Sequence, residues 1–470
     1  MSGRAFRAWL LAIAAVALAA RLVYALAIAP DLPARGDTLL YHFLANGIAD
    51  GKGYIRPFSE LQFGEPLPTA GYPPLYPLFL SAFSAVGLDS LTAHRAVSCL
   101  LGPVAVVLIG LLGRRVRGPR TGLIAAALAA VYPQLVMVDG TVITEALYAP
   151  LVAAVLLAAY RLVDRPGWGS AALLGALIGL ATLTRTEAIL LVALLALPAC
   201  LAGVRRRPDG TRDRWRDALR PAAPLALVAV AATALVLTPW VVRNAISVGE
   251  PIVLTTNSGH TAAATVCDET FEAGSPYLGF VRHACALRGP CVGIRDELEQ
   301  AACQRDEAWR YLRDHADRVP VVVAVRILRL WELYRYQDGL GYGELWSRSI
   351  PVAKAGLVMY ALLVLAAIGG IVRLRRTGTT LWPLLVPALL VTISAATTFG
   401  FSRYRLAAEI PLVVLAATGL DWALAALRSW RDRASRPPAG APDPAAAPGS
   451  AGPARCAPAP PCGTATAPAR

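Results

Sequence analysis

The stretch AHRAVSCLLGPVAVVLIGLLGRRVRGPRTGLIAAALAAVYPQLVMVDGTVITEALYAPLVAAVLLAAYRLVDR, residues 93–165, decides the architecture. Apolar runs over 93–112, 121–138 and 144–160 approach the ~20 residues that carry an α-helix across the hydrocarbon of a bilayer. Arg114, Arg115, Arg117 and Arg120 crowd the first connection, the second (139–143) has no arginine, and Arg161 and Arg165 follow the third run. Cations flanking short loops stay on the cytoplasmic side, so the first and third connections are inside and the second outside.

The same alternation extends in both directions. Apolar segments fall near 8–29, 93–112, 121–138, 144–160, 170–183, 187–203, 222–241, 352–372, 379–399 and 405–427. Arginine clusters follow on the inner side: seven from Arg205 to Arg220, then Arg373, Arg375 and Arg376, and finally Arg428, Arg431, Arg433 and Arg436. About ten spans result, with both termini cytoplasmic and a plasma (inner) membrane location. Arg4 and Arg7 precede Trp9–Ala29, which is long enough to span and has no small-residue cleavage site, so it reads as an uncleaved first helix. Arg185 interrupts 170–203, where one helix and two are both open.

Composition agrees. Hydrophobic residues make up 56% of the 470 and charged residues 16%, with mean hydropathy +0.52; a soluble domain carries about 25% charged residues. The net charge of +14 rests on arginine, since only Lys52 and Lys354 are lysines. Those arginines set topology, and there is no basic patch interleaved with aromatics, which excludes a nucleic-acid binder. Absence of an internal repeat disfavours an inverted-repeat transporter.

Two long segments, 30–92 and 243–351, fall outside within a transmembrane domain of residues 1–427. Residues 294–315 mix charge and apolar positions with a helical period, and 319–334 is apolar enough to lie against the membrane. Residues 428–470 form a cytoplasmic tail whose Pro/Ala/Gly-rich part predicts disorder. Cys267, Cys285, Cys291 and Cys303 share the second external loop, an oxidising location. No CxxC pair is present, so disulfides are favoured over zinc, with three pairings open. Cys99 and Cys200 sit in apolar helices, and Cys456 and Cys462 in the tail.

Ionisable groups at membrane boundaries mark candidate chemistry, because they are costly in lipid. On the external side these are Asp37, Asp139, Glu145, Arg185, Glu187, Arg243, Arg403 and Arg405. Acids come mainly from the early loops and most arginines from later ones, the combination that a carboxylate base and an anionic leaving group require. Plainer roles stand beside these. Asp37 suits a helix N-cap with Gly51 or Gly53 ending that helix, and Glu145 suits a first helical turn. Arg243, Arg403 and Arg405 suit interfacial anchoring, and Gly71–Pro77 a rigid turn into a helix.

Asp37 with Tyr41, the exit Gly51-Lys-Gly53-Tyr54, and Tyr72-Pro73-Pro74-Leu75-Tyr76-Pro77 resemble the first external loop of glycosyltransferase family 39 relatives. These are the bacterial, protein-mannosyltransferase-like members of the GT-C superfamily. Thr144-Glu145-Ala-Leu-Tyr148, Gly179 through Arg185-Thr-Glu187, Pro239-Trp240-Val-Val-Arg243-Asn244 and Arg403-Tyr404-Arg405-Leu406 follow in order. The resemblance spans residues 8–427. It implies an all-α, polytopic GT-C-like fold that takes sugar, mannose-like as the first expectation, from a polyprenyl-phosphate donor on the extracytoplasmic face. Asp37 inherits the role of base and Glu145 that of second acid. Arg403 or Arg243 meets the donor phosphate, while Tyr41, Asp139, Arg185, Glu187 and Arg405 complete the substrate-binding set.

Many relatives carry two adjacent acids in that loop, whereas Asp37 is followed by Thr38. That departure leaves a divalent metal unsupported, and no cofactor is expected. The acceptor stays open among protein, lipid and cell-wall glycan. The alternative function is a transporter or flippase of a lipid-linked sugar or another anionic lipid, which would place ionisable groups near mid-membrane.

Overall fold

A computed structural model describes residues 1–32, 34–205, 214–344 and 348–434. Arg206, Arg207 and Arg212 of the inner loop, and the tail with Cys456 and Cys462, lie outside the described residues. Described residues are helical apart from loops and one isolated bridge, Ile55 to Pro68. A compact unit covers Met1–Ala423, and the described residues from Leu424 to Ala434 belong to a second.

Each of the ten apolar segments falls on a helix or helix pair. Among the described residues seven helices are long and apolar enough to cross a membrane: Gly3–Asp31, Leu91–Arg117, Glu145–Asp164, Thr186–Arg205, Trp215–Ser247, Ile350–Arg376 and Ser402–Asp432. Pro119–Val131 and Pro133–Asp139 make an eighth if counted together, bent by 60°. Pro133 causes the bend: it lacks an N–H and pushes Tyr132 out of the helical region, to ψ 112°. The remaining two, Trp168–Thr182 and Trp382–Thr397, are 15 and 16 residues long. The region 170–203 is two helices, parted where Arg185 takes an extended backbone (φ −147°, ψ 119°).

Small residues let the helices approach closely, as they do where lipid supplies no hydrophobic drive for association. At Gly102 a Cβ would collide with the Arg21 side chain and crowd the Asp139 carboxylate. That glycine leaves room for a buried pair: Arg21 Nε donates to Asp139 Oδ2 at 2.5 Å, and its Nη1 to the carbonyls of Ala17 and Ala130, both at 3.1 Å. The first helix is thereby joined to the bent pair inside the bundle.

The first external segment opens with the helix Asp37–Ala49. Gly36 (φ 55°) caps it and Asp37 makes no cap bond, so the plain N-cap reading of Asp37 is corrected: its carboxylate is left for another partner. Gly51 (φ 75°) takes the left-handed position that ends this helix. Farther on, the backbone N–H of Leu75 donates to the Leu183 carbonyl at 2.9 Å, tying the proline-rich turn to the break before Arg185.

The second external segment folds over the first. Its helix Glu297–Asp314 starts at Asp296, whose side chain accepts from the N–H groups of Leu298 and Glu299. Glu297 Oε1 accepts from the Ala70 N–H at 3.0 Å, and Arg56 Nη2 donates to Gln300 Oε1 at 3.1 Å. The disulfides pair Cys267 with Cys285 and Cys291 with Cys303. Helix Val319–Leu330 buries Val322 and Leu330. Arg326 Nη2 and Arg329 Nε donate to the carbonyls of Thr265 and Leu278 at 2.8 and 2.7 Å, fixing the loop from below.

Substituting Gly102→Ala places a methyl against the Arg21–Asp139 pair. Breaking such a pair costs on the order of 3–5 kcal/mol, so the purified variant is expected to melt well below wild type in a detergent thermal scan. A midpoint equal to wild type would remove this pair from the fold's supports.

Candidate active site

Glu145 is the first residue of its helix and is fully buried. A carboxylate in that setting requires cations within hydrogen-bond reach. Two are supplied. Arg403 Nε and Nη2 donate to Glu145 Oε1 and Oε2 at 2.5 and 2.9 Å, and Arg185 Nη1 donates to Oε1 at 2.9 Å. Thr144 Oγ1 adds a bond to Oε2 at 3.2 Å. Each arginine then reaches a second acid: Arg185 Nε donates to Glu187 Oε1 at 2.5 Å, and Arg403 Nη2 lies 2.8 Å from Asp37 Oδ2. The result is a chain of alternating charge, Glu187–Arg185–Glu145–Arg403–Asp37. The Tyr404 ring backs both guanidiniums, at 4.4 Å from Arg185 and 5.6 Å from Arg403.

This chain floors a cavity of about 150 Å³. Asp37, Tyr41, Tyr72, Arg185, Glu187 and Arg403 line it from the bundle side. Tyr41 is buried edge-on against Tyr72 and Tyr76, and burial raises its phenol well above the ordinary range, with Asp37 adding to the effect. The opposite wall comes from the second external loop, with Thr255, Asn257, His260, Thr261 and His283. His260 Nε2 and His283 Nδ1 lie 3.2 Å apart, and a hydrogen bond between them needs one ring nitrogen without a proton. Burial, with His283 and Arg56 nearby, pushes His260 down to about 4.

A second cavity of about 700 Å³ opens beside the first and is mainly apolar. Ile55, Leu78, Leu180, Leu183, Val236 and Trp240 line it. The turn Tyr72–Pro74 separates the two, with Pro73 facing one and Pro74 the other. Tyr54 holds the turn by donating its hydroxyl to the carbonyls of Tyr72 and Pro73 at 3.0 and 3.3 Å.

Of the residues read from sequence, Asp37, Tyr41, Arg185, Glu187 and Arg403 come together at the polar cavity, and Glu145 lies just beneath, holding the arginines. Three lie elsewhere. Asp139 is taken by Arg21, as described. Arg405 turns into the bundle, where its Nε donates to Glu409 Oε1 at 2.9 Å and its guanidinium covers the Tyr360 ring at 3.6 Å. Arg243 lines the apolar cavity, and its guanidinium donates to the Thr69 and Tyr54 carbonyls at 2.5 and 2.6 Å. The histidine pair was missed from sequence, since its members stand 23 positions apart on separate short helices and no motif marks them.

Residues 72–242 match the family model for dolichyl-phosphate-mannose-protein mannosyltransferase. The GT-C resemblance is borne out. No curated protein matches the sequence significantly. Among solved structures, the Archaeoglobus fulgidus oligosaccharyltransferase in its apo form has 15% identity and a TM-score of 0.51, covering 91% of this chain and 52% of that one. That likeness shows a shared GT-C-like fold, and this chain spans about half the length of the archaeal enzyme. ArnT from Cupriavidus metallidurans bound to undecaprenyl phosphate also matches, with 15% identity, a TM-score of 0.42, and 92% and 81% coverage.

Two measurements probe the floor and the wall. Glu145→Ala leaves two guanidiniums short of a partner and is expected to cost about 3–5 kcal/mol, read as a lowered thermal midpoint. Glu187→Gln, at the outer end of the chain, is expected to cost much less. A folded His260 near pKa 4 binds fewer protons than its unfolded form between pH 4 and 6.5. Stability therefore falls as pH drops through that window. The midpoint of His260→Gln is expected to lose part of that acid dependence; an unchanged profile would show that His260 is not its source.

Proposed function

We propose that the chain transfers a sugar, mannose-like as first candidate, from a polyprenyl-phosphate donor to an acceptor hydroxyl on the extracytoplasmic face. The observation that carries this reading is the pairing of two cavities across the Tyr72–Pro74 turn. One is small and polar and contains a carboxylate on a fixed guanidinium; the other is large and apolar. A sugar suits the first, where Tyr41, Arg185 and Glu187 offer donors and acceptors to its hydroxyls. An isoprenoid chain suits the second. The family matched over residues 72–242 is described by a lipid-phosphate mannose donor, which favours the same substrate class.

In the reaction, Asp37 accepts the proton of the acceptor hydroxyl as its oxygen bonds to the anomeric carbon. The bond from that carbon to the phosphate oxygen breaks, and its electron pair leaves with the lipid phosphate. Attack from the face opposite the phosphate inverts the anomeric centre. Glu145 does not touch the reacting atoms in this scheme. It is a positioning residue that fixes both guanidiniums, so that Asp37 is presented at a set place. An external active face, with both termini cytoplasmic in an inner membrane, completes the proposal.

The test is turnover of polyprenyl-phosphate mannose by purified protein in detergent with native membrane lipids. Removing a general base costs about 10²–10⁴-fold, so Asp37→Asn is expected to lose at least ~100-fold in donor consumption while keeping the wild-type thermal midpoint. Activity within a few-fold of wild type would move the base elsewhere. Retained configuration in the product would eliminate single displacement. Wild-type protein that leaves a whole panel of lipid-phosphate sugars intact would shift the reading to transport.

A further inference from the structure

On the helix Asp37–Ala49, Asp37 and Tyr41 line the polar cavity. The adjoining face carries His42 and Asn46, four residues apart and so neighbours. These two grip the helices Leu75–Ser84 and Leu91–Ser98 through one hydrogen-bonded network. Asn46 Nδ2 donates to the Asp89 carbonyl at 2.9 Å, and Ser84 Oγ donates to Asn46 Oδ1 at 2.9 Å. Ser84 Oγ also meets His94 Nε2 at 2.8 Å. His94 Nδ1 in turn lies 3.1 Å from His42 Nδ1, with the ring centroids 4.9 Å apart, edge to face. Ser84 and His94 are buried, and His42 is half-buried.

The protons of this network follow from its partners. The Asp89 carbonyl fixes the orientation of the Asn46 amide, so Asn46 Oδ1 takes the single hydroxyl proton of Ser84. His94 Nε2 must then donate to Ser84 Oγ. A neutral His94 is left with a bare Nδ1, which accepts from the Nδ1–H of His42. One added proton is tolerated, because His94 Nδ1–H then donates to His42 Nδ1 with the tautomer of His42 reversed. A second is not: it sets N–H against N–H at 3.1 Å and brings two positive rings into contact.

We propose that His42 and His94 are positioning residues that latch the Asp37 helix to its neighbours and release it in acid. Asp37 lies on the same 13-residue helix as His42, so release moves the carboxylate away from its place on Arg403. The ordinary histidine pKa of about 6.5 puts such a change near physiological pH. Burial pushes His42 below that range, and Asp89 pulls it in the other direction. The folded form therefore binds fewer protons than the unfolded one, and the latch's contribution is whole above about pH 6.5 and lost as pH falls further. Among the described residues, three other titratable groups stand around the pair. Asp89 lies beside it, Tyr76 is hydrogen-bonded to Ser98 Oγ at 2.5 Å, and Arg95, next in sequence to His94, interacts with Tyr24. None of them takes the place of either ring nitrogen. The latch goes beyond the transfer reading and holds whether or not Asp37 is the base.

The test is hydrogen–deuterium exchange of the full chain in detergent, read by mass spectrometry on peptides covering 37–49 and corrected for the intrinsic pH dependence of exchange. Protection reports local opening, and the helix Trp168–Thr182, which has no titratable side chain, is the control. Between about pH 7.5 and about pH 5, wild-type protection over Asp37–Ala49 is expected to fall about tenfold or more, the factor that one unit of pKa displacement yields. The control should stay constant. His42→Asn keeps a donor at the Nδ1 position and His94→Gln keeps one at Nε2, yet each removes a ring that takes a proton. Both are expected to lose most of the pH dependence. Ser84→Ala, which cuts the network without touching a ring, is expected to lower protection at both pH values.

Wild-type protection that holds down to about pH 5, or falls as steeply in both histidine variants, overturns the proposal. So does a loss shared equally by Trp168–Thr182, which would mark general unfolding, or Ser84→Ala protection equal to wild type. Exchange is read without substrate, so a chain that shows the latch and consumes no lipid-phosphate sugar keeps the latch and loses the transferase reading. Where donor is consumed, the ratio of turnover at the lower pH to that at the higher is expected to rise several-fold in His42→Asn over wild type. Equal ratios would remove the positioning role.

Discussion

The geometry of the polar cavity depends on one buried carboxylate. Glu145 lies at the start of a membrane helix, where the helix dipole favours it, but the dipole alone does not offset the cost of removing a full charge from water. Two guanidiniums complete the offset, and each brings a segment of chain with it. The break before Arg185 interrupts an apolar stretch that would otherwise continue as a helix. The short turn Ser402–Arg405 sets Arg403 at the mouth of the last helix. Asp37 then finds its partner in the same Arg403. Three distant parts of the sequence are thus drawn together around one residue.

The external loops build on that floor. The Tyr72–Pro74 turn is fixed by the Tyr54 hydroxyl and by the Leu75–Leu183 bond, so a stiff backbone divides polar space from apolar space. The second loop buries an apolar cluster of its own, Phe271, Leu278, Val322 and Val325, and is further held by two disulfides and by Arg326 and Arg329 bonded to its carbonyls. It can therefore present His260 and His283 to the cavity from outside the bundle.

The apolar helices were legible in the sequence because they are written in composition: apolar runs follow from transfer energies, one residue at a time. The external acids and arginines were legible for the same reason, as costly residues at boundaries. Their pairings were not. Arg403 and Glu145 are 258 residues apart, and nothing local distinguishes Arg403, which meets Glu145, from Arg405, which turns to Glu409. Asp139 looked like a site acid because it precedes an external loop; the partner that removes it, Arg21, sits in another helix. The four loop cysteines allowed three pairings, and the fold of the loop selects one. The histidine pair had no signal, since residues on two separate short helices share no period.

The charge pattern carries one more consequence. Glu187, Glu145 and Asp37 are three carboxylates against the two guanidiniums of Arg185 and Arg403. A chain with an acid at each end suits hydroxyl groups and a departing proton, yet on its own it repels a phosphate.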